Sequence, residues 1–138
     1  MLRIGKRAER SREGVAAVEF AIVFPLLLFM LVGMIVYGGW FWLAHSVQSL
    51  AYESARASLG GLDAAERRAL ALDFVSQRGP EIGVPVGATS VSVNSDNQVV
   101  AVTINYDVST HPIMALKGLT VPPPQTISKE AVVRLGGY

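Results

Sequence analysis

Between Glu19 and Glu53 the chain carries no Asp, Glu, Lys or Arg. The most apolar part, Phe20 to Trp42, is about 23 residues, or ~34 Å as a helix, enough to cross a hydrocarbon core of ~30 Å. A cleavable secretory signal has a shorter apolar region, ~7–15 residues, closed by a small-x-small site. Leu43-Ala44-His45 does not supply that site. The run is therefore read as a single retained membrane span.

Flanking charge sets its expected direction. Arg3, Lys6, Arg7, Arg10 and Arg12 crowd the N-terminal side, whereas Glu53 and Arg56 are the nearest charges beyond the run. The bias of Lys and Arg toward the cytoplasm puts the N-terminus inside and everything after Trp42 outside. Tyr37, Trp40, Phe41 and Trp42 gather at the far end, where amphipathic rings favour the interface. Met1–Gly14 holds five Lys/Arg and two Glu, and the remainder holds seven Lys/Arg against nine Asp/Glu. The mildly acidic remainder excludes a nucleic-acid surface. With no cysteine, neither a disulfide framework nor a thiolate metal site can form.

Pro25 lies inside the span, where it removes one backbone hydrogen bond and can kink the helix; Gly33, Gly38 and Gly39 are tolerated in lipid. Helical periodicity continues through Ala44–Leu59, with Val47, Leu50, Ala51, Ser54 and Ser58 on one narrow face and Gln48, Glu53 and Arg56 opposite. Gly60-Gly61 stops it. Asp63-x-x-Glu66 caps a second helix over Ala64–Gln77, with Leu70, Ala71 and Phe74 as its apolar stripe. Gly79-Pro80 and Gly83-Val84-Pro85 mark a loop.

From Thr89 the period changes to two. Val91 and Val93 face one way, Ser95-Asp96-Asn97 turns the chain, and Val100, Val102, Ile104, Tyr106 and Val108 line a second strand. A loop with Pro112 and Pro122-Pro123-Pro124 leads to a third strand, Ile127–Leu135, whose period breaks at Val132-Val133. The expected fold class is α+β: a long N-terminal transmembrane helix extending into a small exported domain, with one further helix and a short antiparallel sheet of about three strands. The divisions are a basic leader 1–14, a transmembrane helix 15–43, a helix extension 44–60 and an exported domain 61–138. About 75 residues make a thin core, which docking on the first helix or on neighbouring subunits would reinforce.

Glu19 sits at the mouth of the apolar run. A charge at a helix centre in lipid costs ~2.5–3.5 kcal/mol on insertion scales, and less near the interface. Two readings follow. In one, Glu19 lies at headgroup level near Arg12 and the helix N-terminus. In the other, a peptidase cuts after Gly14, leaving Val15 with a free ammonium one helical turn from Glu19. Glu19 of one subunit then pairs with the Val15 ammonium of the next, and the charge becomes a register device.

A short basic leader, Gly, four residues, Glu-Phe and a long apolar run resemble the prepilin signal of type IV pilins. EGVAAVEFAIVFPLLL followed by AHSVQSLAYESARASLGG is similar to the TadE-like family, pseudopilins of the tight-adherence (Flp) pilus assembly system. The resemblance rests on Gly14, Glu19, Phe20, Pro25 and the run Ala51-Tyr52-Glu53-Ser54-Ala55-Arg56. It implies cleavage between Gly14 and Val15 by a prepilin peptidase of the aspartic membrane type. Glu19 and Phe20 would then act in assembly and register. The implied partners are the bacterial inner membrane, the peptidase and other pilin or pseudopilin subunits, with the C-terminal domain periplasmic or extracellular. Major Flp pilins are very short, so the exported domain points to a minor subunit.

Little else carries chemistry. His45 and His111 are far apart in sequence. Asn94, Asp96, Asn97 and Asp107 suggest either a cation site or turn chemistry. The patch Ile113-Met114-Ala115-Leu116 either touches membrane or a partner, or tucks onto the core. With no nucleophile–base pair, phosphate loop or zinc spacing, the expectation is a non-enzymatic protein without cofactor, metal, small-molecule substrate or nucleic acid. The alternative to a pilus component is a permanently anchored single-span protein whose exported domain is a binding or scaffolding module.

Overall fold

A computed structural model describes the backbone from Gly5 to Gly136 and the side chains from Gly14 to Gly136. The basic side chains Arg3 to Arg12 of the leader lie outside the described residues. The first helix, α1, runs from Gly5 to Ala57, about 80 Å of helix. It passes Pro25, Gly33, Gly38 and Gly39 without interruption.

Every residue from 14 to 31 is exposed, whereas the upper part of α1 forms the spine of the core. Val36, Leu43, Val47, Ala51, Ser54 and Ala55 have no exposed surface and Leu50 only 1%, at helical spacings that line one face. The Ser54 and Ser58 hydroxyls donate to the Ala51 and Ala55 carbonyl oxygens at 2.9 and 2.6 Å. The helix thereby satisfies its own buried polar groups. The whole face expected from the sequence is buried. Gln48, expected opposite, is half-buried, and its Nε2 donates to the Glu130 carbonyl at 3.2 Å.

A short 3-10 turn, Ser58–Gly60, ends α1. At Gly61 a side chain has no room, because a Cβ would lie 2.6 Å from the Arg67 backbone nitrogen. Asp63 caps the second helix, its Oδ1 accepting the Glu66 N–H at 2.8 Å, while Glu66 Oε2 accepts the Leu62 N–H at 2.8 Å. Asp63 caps as expected, and Glu66 reaches back one residue further than in a standard capping box, to the N–H before the cap.

Helix α2 spans Ala64–Glu81 and so continues through Gly79-Pro80, where a loop was expected. In the last turn Pro80 forfeits only one helical hydrogen bond, and Gly79, lacking a Cβ, avoids the usual clash with the following proline ring. The Val84 N–H then closes the end by donating to the Gly79 carbonyl at 2.9 Å. The buried stripe is Ala71, Val75 and Gly79, with Phe74 partly covered. Leu70, expected in the stripe, is exposed. Small residues let α2 lie close against α1, where Leu50 Cδ2 sits 3.8 Å from the Cβ position of Gly79.

The sheet is antiparallel in the order β1-β2-β3, with β1 Thr89–Ser95, β2 Val99–Asp107 and β3 Thr126–Arg134. Val100, Val102, Ile104 and Tyr106 of the central strand point inward, joined by Ile127 and Ala131 of β3. The period does not break at Val132-Val133. Alternation continues, with Val133 half-buried against the core and Val132 outward across from Ala101. A single apolar residue on the solvent face is the source of the apparent break. Both helices cover the same face of the sheet, α1 over β2 and β3, α2 beside β1. The fold is α+β, as expected.

The segment after β2 folds back on α1. Its 3-10 turn, Pro112–Leu116, is capped by His111, whose Nδ1 accepts the Ile113 N–H at 3.3 Å. Met114 is buried in the core. Ile113 Cγ2 lies 2.9 Å from where Gly39 would carry a Cβ, so that glycine admits the turn to the helix surface. Ile113 and Met114 of the 113–116 patch are therefore tucked onto the core.

Candidate processing and assembly segment

Sequence places Gly14, Val15, Glu19, Phe20 and Pro25 on one helix, and the structure arranges them by helical geometry alone. Gly14, Val15, Val18, Glu19 and Ile22 share one face, with Val15 and Glu19 four residues, hence one turn, apart. Val15 is 67% exposed and Phe20 64%. Phe20 and Phe24 stack tilted, ring centroids 5.3 Å apart. No other described element touches this stretch, so the Gly14–Val15 peptide has no folded domain packed around it, and Glu19 offers an acceptor with no described ion-pair partner.

The aromatic cluster separates. Trp42 is exposed, with its ring 3.8 Å from the Cβ position of Gly83. Tyr37 is half-buried. Trp40 turns toward the protein, donating its Nε1–H to the Pro124 carbonyl at 2.9 Å and meeting Phe41 edge-on at 5.5 Å. The run Ala51–Arg56 also divides: Ala51, Ser54 and Ala55 are buried, while Tyr52, Glu53 and Arg56 face out. The Arg56 guanidinium lies 5.9 Å from the Tyr52 ring centroid, within cation–π range.

Asp96 and Asp107 serve turns. The Gln98 and Val99 N–H groups donate to Asp96 at 2.7 Å and hold its carboxyl below the usual range. Ser109 does the same to Asp107. Among the described residues no three His, Cys, Asp or Glu side chains gather as a metal site. Arg67 has a role that the sequence does not signal. It joins the α1–α2 corner to the β1–β2 turn by donating to the Gly61 carbonyl and the Ser95 hydroxyl, both at 3.1 Å. An arginine among other polar residues on a helix gives no sequence signal of such a bond.

The apolar face around Glu19, open along its length, and the inward small face of Ala51–Ala55 lie on a single helix. Residues 14–56 match the TadE-like protein family. The TadE-like stretch starts at Gly14 and stops one residue before α1 ends. It takes in Glu19, Phe20, Pro25 and the whole Ala51–Arg56 run, the residues on which the resemblance rests. The α2 and sheet region lies outside the TadE-like match. No curated protein and no solved structure matches the chain. One run within α1 is long and apolar enough to cross a membrane, its best window having a mean hydropathy of 2.6.

Proposed function

We propose that this chain is a membrane-anchored pseudopilin, a minor subunit used in assembling a tight-adherence (Flp) pilus, and that it matures by cleavage between Gly14 and Val15. The observation that carries the reading is the TadE-like match, which opens at Gly14. Its chemistry fits: Gly14 is the small residue such a site needs, and no side chain or other element lies within 4 Å of its Cβ position. Val15, Glu19 and Phe20 occupy a bare helix able to pack beside copies of itself. In this reading α1 crosses the inner membrane with its N-terminus in the cytoplasm, and the sheet domain stands on the outer side. The partners are the prepilin peptidase and neighbouring pilin or pseudopilin subunits, and the role is structural rather than enzymatic.

Intact-mass measurement of the protein recovered from membranes tests this. The expected product begins at Val15, and Gly14→Arg should leave a full-length chain that still inserts. Recovery of wild-type protein with residues 1–14 attached, from cells that process their other prepilins, would reject the maturation step and favour a permanently anchored module.

A further inference from the structure

The segment between β2 and β3 does not stay with the sheet. It descends along α1, from Trp40 at Pro124 to Gly33, where Thr120 Oγ1 lies 3.7 Å from the Cβ position. Seven helical residues separate those contacts, about 10 Å along the axis. The descent enters the apolar run itself, where Val36 has no exposed surface and Val32 is only 9% exposed. A hydrocarbon core of ~30 Å takes about 20 helical residues. Counted from Phe20, just past the Glu19 charge, it ends near Gly39; counted from Val15 it ends near Met34. Either way the tip beside Gly33 lies at or below the outer boundary of the hydrocarbon.

The composition of the tip suits that depth. Between Asp107 and Lys129 the one Asp, Glu, Lys or Arg is Lys117. Leu119 is 51% and Val121 74% exposed, although neither is needed to close the core. The three prolines that follow carry no N–H to leave unpaired in a medium without water. The Lys117 and Leu119 N–H groups donate to the Met114 and Leu116 carbonyls at 3.2 and 2.9 Å. Those of Gly118, Thr120 and Val121 have no protein acceptor among the described residues, which keeps their backbone within reach of headgroup water while the Leu119 and Val121 side chains point deeper. At a similar height the free side of α1 presents Met34, Ile35, Phe41 and Trp42, all more than half exposed.

We infer that Lys117–Val121 is a lipid-inserting wedge: Leu119 and Val121 enter the acyl layer of the outer leaflet beside α1, with the Lys117 ammonium at the lipid phosphates. Long basic side chains reach back to headgroups from such depths. The wedge gives the exported domain a second foothold on the bilayer and fixes its tilt. This rests on α1 spanning the membrane and not on pilus assembly.

The native chain has no cysteine, so single-cysteine variants Phe29→Cys, Ser92→Cys, Leu119→Cys and Val121→Cys can each carry a fluorophore in lipid nanodiscs. Lipids with nitroxide-bearing acyl chains should quench positions 29, 119 and 121, and aqueous iodide should quench position 92. Iodide quenching at 119 and 121 should be at least about fivefold weaker than at 92, as for side chains below the headgroups. Lipid quenching at 29, with iodide quenching at 119 and 121 equal to that at 92, would overturn the wedge and leave the span intact. Protection of 119 and 121 from both quenchers would overturn it too, by placing protein there. Iodide quenching at 29 would remove the span and the wedge together.

Discussion

The Trp40 indole N–H and the Pro124 carbonyl, 84 positions apart in sequence, form a 2.9 Å hydrogen bond that ties the proline segment to α1. Trp40→Phe keeps a ring and deletes the donor. A net loss of about 1 kcal/mol is expected, concentrated on the segment. Tryptic cleavage after Lys117 in detergent-solubilised protein should accelerate several-fold, with cleavage after Arg78 unchanged. Equal rates for both proteins at Lys117 would show that the bond does not hold the segment.

Gly79 and Gly87 form a matched pair. A Cβ at Gly79 would lie 2.7 Å from the Val84 carbonyl oxygen, whereas at Gly87 nothing lies within 4 Å. Gly79→Ala should cost about 1–3 kcal/mol, because the crowding atom is backbone. Gly87→Ala should be neutral or stabilise by about 0.4–1 kcal/mol through the unfolded chain. Thermal unfolding of the two variants in one detergent gives the comparison, and equal melting temperatures would contradict the close packing at the α2 terminus.

Acid should loosen the β1–β2 turn and the exit of β2. The Asp96 and Asp107 carboxyls are held below their ordinary value of 3.8 by N–H donors. A group with a depressed folded pKa contributes its stability above the unfolded value, and that contribution disappears as pH falls through the folded one. Stability should therefore decline below about pH 3.8, and Asp96→Asn should flatten part of that decline. Chemical denaturation between pH 2 and 6 reads it; an unchanged slope in Asp96→Asn would remove Asp96 from the account.

Glu19 separates anchoring from assembly. Glu19→Ala removes a charge from the edge of an apolar run, so insertion and abundance should be equal or higher. If the carboxylate meets a neighbour's Val15 ammonium, its loss leaves a buried charge unpaired, at a cost of about 3–5 kcal/mol. Pili should then be lost from cells holding normal amounts of the processed variant. Normal piliation in those cells would return Glu19 to the headgroup region.

What was legible in the sequence follows the range of the forces involved. The inward face of α1 from Val47 to Ser58, the Asp63 cap and the alternation of β2 are local patterns, each repeated within a few residues, and all three are present. Gly79-Pro80 misleads because the pair usually breaks helices; tertiary closure by Val84 decides otherwise. Val132 misleads because one outward valine imitates a change of period. The contact of Ile113 with Gly39 could not be read at all. Glycine in an apolar run looks the same whether lipid or a returning loop lies against it. At the candidate segment Gly14, Glu19, Phe20 and Pro25 have no tertiary partner among the described residues, so the structure adds only their helical placement to what the sequence shows. Trp40 is the converse, an aromatic positioned by a carbonyl far along the chain.

The unbroken course of α1 means that anchor and domain share one angular reference. At about 100° per residue, the bearing of Glu19 around the helix axis is set by the number of residues between it and the buried Val47. Between them the described helix is continuous through Pro25, Gly33, Gly38 and Gly39. Adding a single residue below Val32 would turn Glu19 by about 100° relative to the sheet while leaving every contact in the core unchanged. A neighbour that engages both Glu19 and the domain must therefore match a compass direction as well as a height.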